Sequence, residues 1–99
     1  MSEARIFSAF VRNDLVEGQR ILVLECLAQE GCGDAWGGEH YEFPFDRIAI
    51  APPHIIGAID NIKYPPSSCN PGYSPLNPLE AAEVETALTQ ARKRAALAA

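Results

Sequence analysis

The side chains best suited to chemistry lie together in one glycine-rich stretch, residues 29–43, which reads QEGCGDAWGGEHYEF. Five of them could react, bind a metal or anchor an interface: Cys32, Asp34, Trp36, Glu39 and His40. Thiol, imidazole and carboxylate groups build metal sites and nucleophilic sites, whereas a tryptophan among carboxylates is typical of protein interfaces. The stretch therefore raises three hypotheses: a zinc site, a thiol catalyst and a recognition surface.

A zinc site would use Cys26, Cys32 and His40, with His54 or Cys69 as the fourth ligand. Zinc takes four tetrahedral nitrogen or sulfur ligands, which proteins usually supply as closely spaced pairs. Five residues separate the first two cysteines, and the sequence has no Cys-x2-Cys pair. The spacing disfavours zinc, and we expect neither a metal site nor a cofactor.

A thiol catalyst would use Cys32 as nucleophile, His40 as base, and Asp34 or Glu39 to orient the imidazole. The residue types fit, but acidic neighbours raise the pKa of a thiol, and a glycine-rich loop holds catalytic geometry poorly. The glycines also lack the lysine and the spacing of a phosphate-binding loop. We therefore predict no catalytic residue and keep a small thiol- or zinc-dependent protein, using Cys32 and His40, as an alternative.

The distribution of charge favours recognition. The chain of 99 residues has a net charge of −5, and residues 25–46 hold six acidic side chains without a lysine or arginine. Such a surface repels nucleic acid and membrane headgroups and attracts a basic surface on a protein partner. The predicted contact residues are Glu30, Asp34, Trp36, Glu39 and Glu42. Two alternatives stay open: Trp36 could cover the sheet edge as part of the core, and the acids could simply be solvated.

Three elements would position this stretch. Residues 4–12 and 20–28 are rich in aromatic and aliphatic side chains, which predicts an antiparallel hairpin around the turn formers Asn13, Asp14 and Gly18. Residues 40–46 alternate and predict an edge strand, because Pro44 cannot donate to a ladder. The alternation changes phase near Asp46, which indicates a bulge or a break between two strands.

Helical patterns follow in the second half of the chain. Residues 53–63 predict a short helix with Ile55, Ile59 and Ile62 on one face, and residues 64–77 predict a proline-rich connector. Asn77-Pro78-Leu79-Glu80 then has the features of a capping box and predicts a helix over residues 78–98. Its apolar seam keeps heptad spacing with mostly small side chains, which suits packing on a sheet: Ala81, Val84, Leu88, Ala91, Ala95 and Ala98.

These elements predict one α+β domain over residues 1–99, with residues 1–51 as its strand-rich part. The sheet should be small, with three or four mainly antiparallel strands, one short helix beside it, and the long C-terminal helix packed on one face. The sequence shows no signal peptide and no apolar stretch of about 20 residues, so we expect a cytoplasmic protein with three free thiols. A monomer or a homodimer would fit this size.

The chain resembles, in type only, the small acidic inhibitors that phages and mobile elements direct against bacterial host machinery; no motif carries the resemblance. The resemblance implies a protein-binding module that engages a basic, nucleic-acid-binding surface of its partner. A structural subunit of a larger assembly is a further alternative.

Overall fold

A computed structural model describes residues 6–26, 39–59 and 61–98. Its elements, in chain order, are β1 (Ile6–Arg12), β2 (Ile21–Cys26), β3 (Glu39–Pro44), a 3₁₀ helix (Phe45–Ile50), α1 (Pro53–Ala58), β4 (Asn61–Lys63), β5 (Tyr73–Pro75) and α2 (Pro78–Ala98). The predicted α+β class and the long C-terminal helix are confirmed.

Within the described residues the sheet has five strands, in the order β3-β2-β1-β4, and β5 also pairs with β1. Strands β2 and β5 run antiparallel to β1, and β3 runs antiparallel to β2, but β4 runs parallel to β1. The prediction of three or four strands is therefore wrong in number, and the sheet is mixed. Strands β4 and β5 have only three residues each, too few to show an alternating pattern in the sequence. They share one edge of β1, with β4 beside Ile6–Ser8 and β5 beside Phe10–Arg12.

One face of the sheet packs against the helices. Phe7 and Ala9 of β1 and Leu22 and Leu24 of β2 point to this face and are fully buried. The seam of α2 covers them with three buried side chains: Val84, Leu88 and Ala91. Full burial of a Val, Leu or Phe side chain contributes about 1.5–3 kcal/mol, so this shared cluster holds the helix on the sheet.

The hairpin between β1 and β2 ends in a tight turn. Glu17 and Gly18 both have positive φ angles, 53° and 78°, and the bridge between Val16 and Gln19 closes the turn. Two consecutive residues in this conformation form the turn whose twist matches that of the flanking strands. The predicted antiparallel hairpin is confirmed. Gly18 has a positive φ angle, a conformation that glycine adopts without steric cost.

The phase change near Asp46 marks the end of a strand, not a bulge. Strand β3 stops at Pro44, and the chain then winds into the 3₁₀ helix, in which Phe45 and Ile48 are buried three residues apart. A 3₁₀ helix has three residues per turn, so these two side chains point to the same side. The apolar residues after Asp46 therefore follow a helical period and do not form a further strand.

Helix α1 is shorter than predicted. It ends at Ala58, Ile59 has extended backbone, and Ile62 lies in β4 instead of on the helix. The i, i+4, i+7 spacing of the isoleucines predicts a single helical face. In the structure Ile59 is buried and Ile62 is half-buried, but neither residue lies on the helix. The free edge of β1 offers backbone partners to residues 61–63, which the sequence pattern alone does not reveal.

Helix α2 begins with the predicted capping box, which is confirmed. The Glu80 backbone N–H donates to Asn77 Oδ1 at 2.8 Å, and the Asn77 N–H donates to Glu80 Oε1 at 3.1 Å. Near the other end, Arg92 donates to the carbonyl of Ile59 and Arg94 to that of Ala49. The two arginines therefore attach the helix to the segments that precede and follow α1.

Candidate functional site

The outer face of the sheet, opposite α2, carries a cluster of charged and aromatic side chains. Ser8, Glu25 and His40 are direct neighbours across β1, β2 and β3, so they point to the same side. Six side chains at this face and at the adjacent turn form what we call the outer-face cluster: Arg12, Asp14, Glu25, His40, Glu42 and Tyr73. They come from four strands and the hairpin turn, and regular strands fix their relative positions.

His40 lies at the centre of the outer-face cluster. Its Nε2 is 2.9 Å from Glu42 Oε2, and its Nδ1 is 3.3 Å from Glu25 Oε1. The imidazole also stacks on Tyr73, with ring centroids 6.2 Å apart and an angle of 29° between the planes. Both ring nitrogens therefore face carboxylates, and the ring is fixed in orientation while its side chain stays 40% exposed.

Arg12 supplies the fixed positive charge of the cluster. Its Nη1 donates to Glu42 Oε1 at 2.9 Å, and its Nε and Nη2 donate to the two carboxylate oxygens of Asp14 at 3.0 and 2.6 Å. These hydrogen bonds raise the pKa of Arg12, and the bond from Arg12 lowers the pKa of Asp14. Glu42 is held by both neighbours: the hydrogen bond with His40, followed by that with Arg12, lowers its pKa.

Tyr73 lies at the other side of the cluster, on β5. Burial, followed by the charges of Glu25 and Glu42, raises the pKa of its phenol. The same sheet face carries Phe10 and Val23, which are buried. The outer-face cluster thus borders apolar side chains that are already buried within the protein.

Two of the five predicted contact residues lie within the described part of the chain. Glu42 belongs to the outer-face cluster, and Glu39 opens β3, where its backbone pairs with Cys26. Glu30, Asp34 and Trp36 lie outside the described residues. Residues 25–46 contain no lysine or arginine, but Arg12 of β1 forms an ion pair with Glu42.

Five members of the cluster were not among the predicted contacts: Arg12, Asp14, Glu25, Tyr73 and His40, of which His40 was considered only as a zinc ligand or catalytic base. The alternation of β2 puts Glu25 on the face away from Leu24 and Cys26, so the sequence pattern predicts its place on the outer face. Nothing local connects Arg12 to Glu42, which is 30 residues away, and nothing in the proline-rich connector identifies Tyr73 as part of a strand.

The residues of the zinc and thiol hypothesis have other contacts. Both nitrogens of His40 face carboxylates, and Cys26 is a free, half-buried thiol that packs against the core. Cys69 is disulfide-bonded, which corrects the expectation of three free thiols. Cys32 lies outside the described residues, and within residues 6–26, 39–59 and 61–98 no group of three or more potential ligands is arranged to hold a metal ion.

A second surface feature is an open groove of about 520 Å³ between the 3₁₀ helix and α2. Phe45, Ala82 and the highly exposed Leu79 line it, with the carboxylates of Asp46 and Glu83. The guanidinium of Arg20 lies 4.6 Å from the Phe45 ring centroid and pairs with Glu83. Two of the groove residues are therefore already engaged by the protein's own arginine.

The described helices include none that is long and apolar enough to cross a membrane. No protein-family model, no curated protein and no solved structure matches this chain.

Proposed function

We propose that this protein is a protein-binding module whose outer face engages a basic surface of a partner protein. The observation that carries the proposal is the balance of charge in the outer-face cluster. The cluster contains three carboxylates and one guanidinium, so its net charge is −2 when His40 is neutral. Such a surface attracts cations over a distance of about 10 Å at ordinary ionic strength.

The positioning of the cluster supports binding over catalysis. The side chains sit on paired strands and hold one another through hydrogen bonds, so little conformational entropy is lost when a partner docks. Their charged side chains are between 19% and 63% exposed, so water is not excluded from them as catalysis usually requires. The half-buried Tyr73 offers aromatic area beside the charges, whereas Phe10 and Val23 of the same face are buried.

The partner would carry lysine and arginine side chains on the contacting surface. Glu30, Asp34, Trp36 and Glu39 would extend the contact beyond the outer-face cluster, with the tryptophan as its apolar anchor. A partner that uses the same basic surface for nucleic acid would then be inhibited by competition, as for the phage and mobile-element inhibitors that this chain resembles in type.

Charge reversal on the outer face tests the proposal. Partners would be recovered from the native cell with the tagged protein, identified by mass spectrometry and purified, and their affinity measured by calorimetry at about 50 and 300 mM salt. We expect the affinity to fall with salt and to fall by at least about tenfold in E25K/E42K. The control variant E17K/E83K makes the same change of charge away from the outer-face cluster and should keep wild-type affinity.

Circular dichroism and thermal melting would establish that both variants fold. Wild-type affinity in a folded E25K/E42K variant would overturn the proposal, as would a partner with an acidic contact surface. The thiol and zinc alternative is tested separately by C32A and by elemental analysis of the purified protein. Loss of partner binding in C32A together with one bound zinc per chain would favour that alternative.

A further inference from the structure

We propose that His40 regulates the outer face by its state of protonation, releasing Glu25 to a basic partner when the ring loses its proton. The inference deepens the proposed function and depends on it for its biological meaning. Its physical part, the coupling between His40 and Glu25, belongs to the free protein and is tested there.

The geometry of the ring carries the inference. Protonated His40 forms a hydrogen bond with Glu42 through Nε2 and an ion pair with Glu25 through Nδ1. A neutral imidazole keeps a single N–H and carries no charge. Loss of the proton therefore removes the ion pair with Glu25, while the hydrogen bond from Nε2 to Glu42 can remain.

The distances and the other partners indicate which glutamate is released. The Nε2 to Glu42 distance of 2.9 Å is shorter than the Nδ1 to Glu25 distance of 3.3 Å, which favours the neutral form that keeps its proton on Nε2. Glu42 is also held by Arg12 through its other oxygen. Within the described residues, His40 is the one side chain that forms an ion pair or a hydrogen bond with Glu25. Glu25 is therefore the carboxylate that becomes available.

His40 is surrounded by groups that keep their charge state near neutral pH, so the imidazole is the group of this face whose charge can change there. Among the described residues these charged or titratable groups are Arg12 of β1, Asp14 of the turn, Glu25 of β2, Glu42 of β3 and Tyr73 of β5. The pKa of Arg12 and of Tyr73 is raised, and the pKa of Asp14 and of Glu42 is lowered, which moves all four away from neutrality. Histidine is the side chain that changes charge near neutral pH, and here the change takes the net charge of the cluster from −1 to −2.

Nuclear magnetic resonance of the free protein tests the coupling between the two residues. The Glu25 carboxyl carbon and the His40 ring nitrogens would be followed from about pH 5 to about pH 8.5. We expect the Glu25 signal to shift with the same midpoint as the His40 ring, and the neutral ring to carry its proton on Nε2. A Glu25 signal that does not follow the ring, or a neutral ring protonated on Nδ1, would overturn the inference.

Partner affinity at different pH values tests the consequence. From about pH 5.5 to about pH 8, wild-type affinity should rise about two- to fivefold, as expected for one surface charge. H40Q should lose this dependence, while H54Q, which alters the second of the two histidines in the chain, should keep it. A pH dependence that persists in folded H40Q would contradict the inference. If no basic partner binds at any pH, the proposed function fails, and the resonance experiment still decides the coupling.

Discussion

Arg12 on β1 and Glu42 on β3 are joined by a hydrogen bond of 2.9 Å that reaches across the intervening strand β2. Glu42 uses its second oxygen for His40, so one carboxylate connects both sides of the outer face. The bond places an arginine beside residues 25–46, which contain no lysine or arginine of their own. It therefore reduces the net negative charge that this segment presents to a partner.

The hydrogen bonds to Glu42 predict a loss of stability in acid. Because they lower its pKa below the ordinary value of 4.5, the folded state binds a proton at Glu42 less readily than the unfolded state does. This contribution is present above pH 4.5 and is lost as the pH falls through the lower, folded-state pKa. We expect E42Q to reduce the unfolding free energy at neutral pH by about 0.2–1 kcal/mol, after allowance for solvent screening.

Urea denaturation at a series of pH values measures this effect. The stability of E42Q should decline less steeply than that of the wild type below pH 4.5. D46N, at an exposed carboxylate of the 3₁₀ helix, serves as a matched control and should follow the wild-type curve. Parallel curves for E42Q and the wild type would contradict the prediction.

The capping box at the start of α2 predicts a measurable effect of Asn77. N77A removes the acceptor for the Glu80 N–H and should lower the unfolding free energy by about 1 kcal/mol. N77D retains an oxygen at the same position, so it should stay close to the wild type. Chemical denaturation measures both, and equal losses in the two variants would show that the cap is not the cause.

The contact between α2 and the sheet predicts that two leucines of the same helix respond very differently to truncation. Leu88 is 1% exposed within the core, so L88A should destabilise the protein by about 2–5 kcal/mol. Leu97 is 87% exposed, and L97A should change stability by less than about 0.5 kcal/mol. Thermal or urea unfolding distinguishes them, and a small effect of L88A would contradict the packing of this helix face.

The burial of Tyr64 and its hydrogen bond to Glu85 predict that this tyrosine loses its proton at an unusually alkaline pH. Burial, and then the hydrogen bond from its hydroxyl to Glu85 at 2.7 Å, raise its pKa well above the ordinary value of 10.0. Since the folded-state pKa is the higher one, its contribution to stability is present below pH 10.0 and is lost as the pH rises towards the folded-state value.

The near-ultraviolet absorbance of tyrosinate follows this titration. Tyr64 and Tyr73 should both ionise above the ordinary value, with Tyr64 last and together with unfolding, and Y64F should remove that last component. Y73F is the matched control and should leave the last component in place. A late component that persists in Y64F would assign the shifted titration to another tyrosine.

Local features of the structure could be predicted from the sequence because their causes lie within a few residues. The capping box of α2 needs only Asn77 and Glu80, and the strands β1 and β2 follow from runs of aromatic and aliphatic side chains. The heptad seam of α2 likewise predicts that Val84, Leu88 and Ala91 face the core, and they do.

The tertiary structure decided the features that depend on pairing between distant segments. Strands β4 and β5 exist because the edge of β1 supplies hydrogen-bond partners to short segments that have no strand pattern of their own. The outer-face cluster exists because the register of the sheet aligns Glu25 with His40, and because Arg12 reaches Glu42. The sequence alone determined that the chain is acidic around residues 25–46. Which of those charges are neutralised depends on cations that only the folded sheet brings near, since electrostatic interactions depend on distance in space and not along the chain.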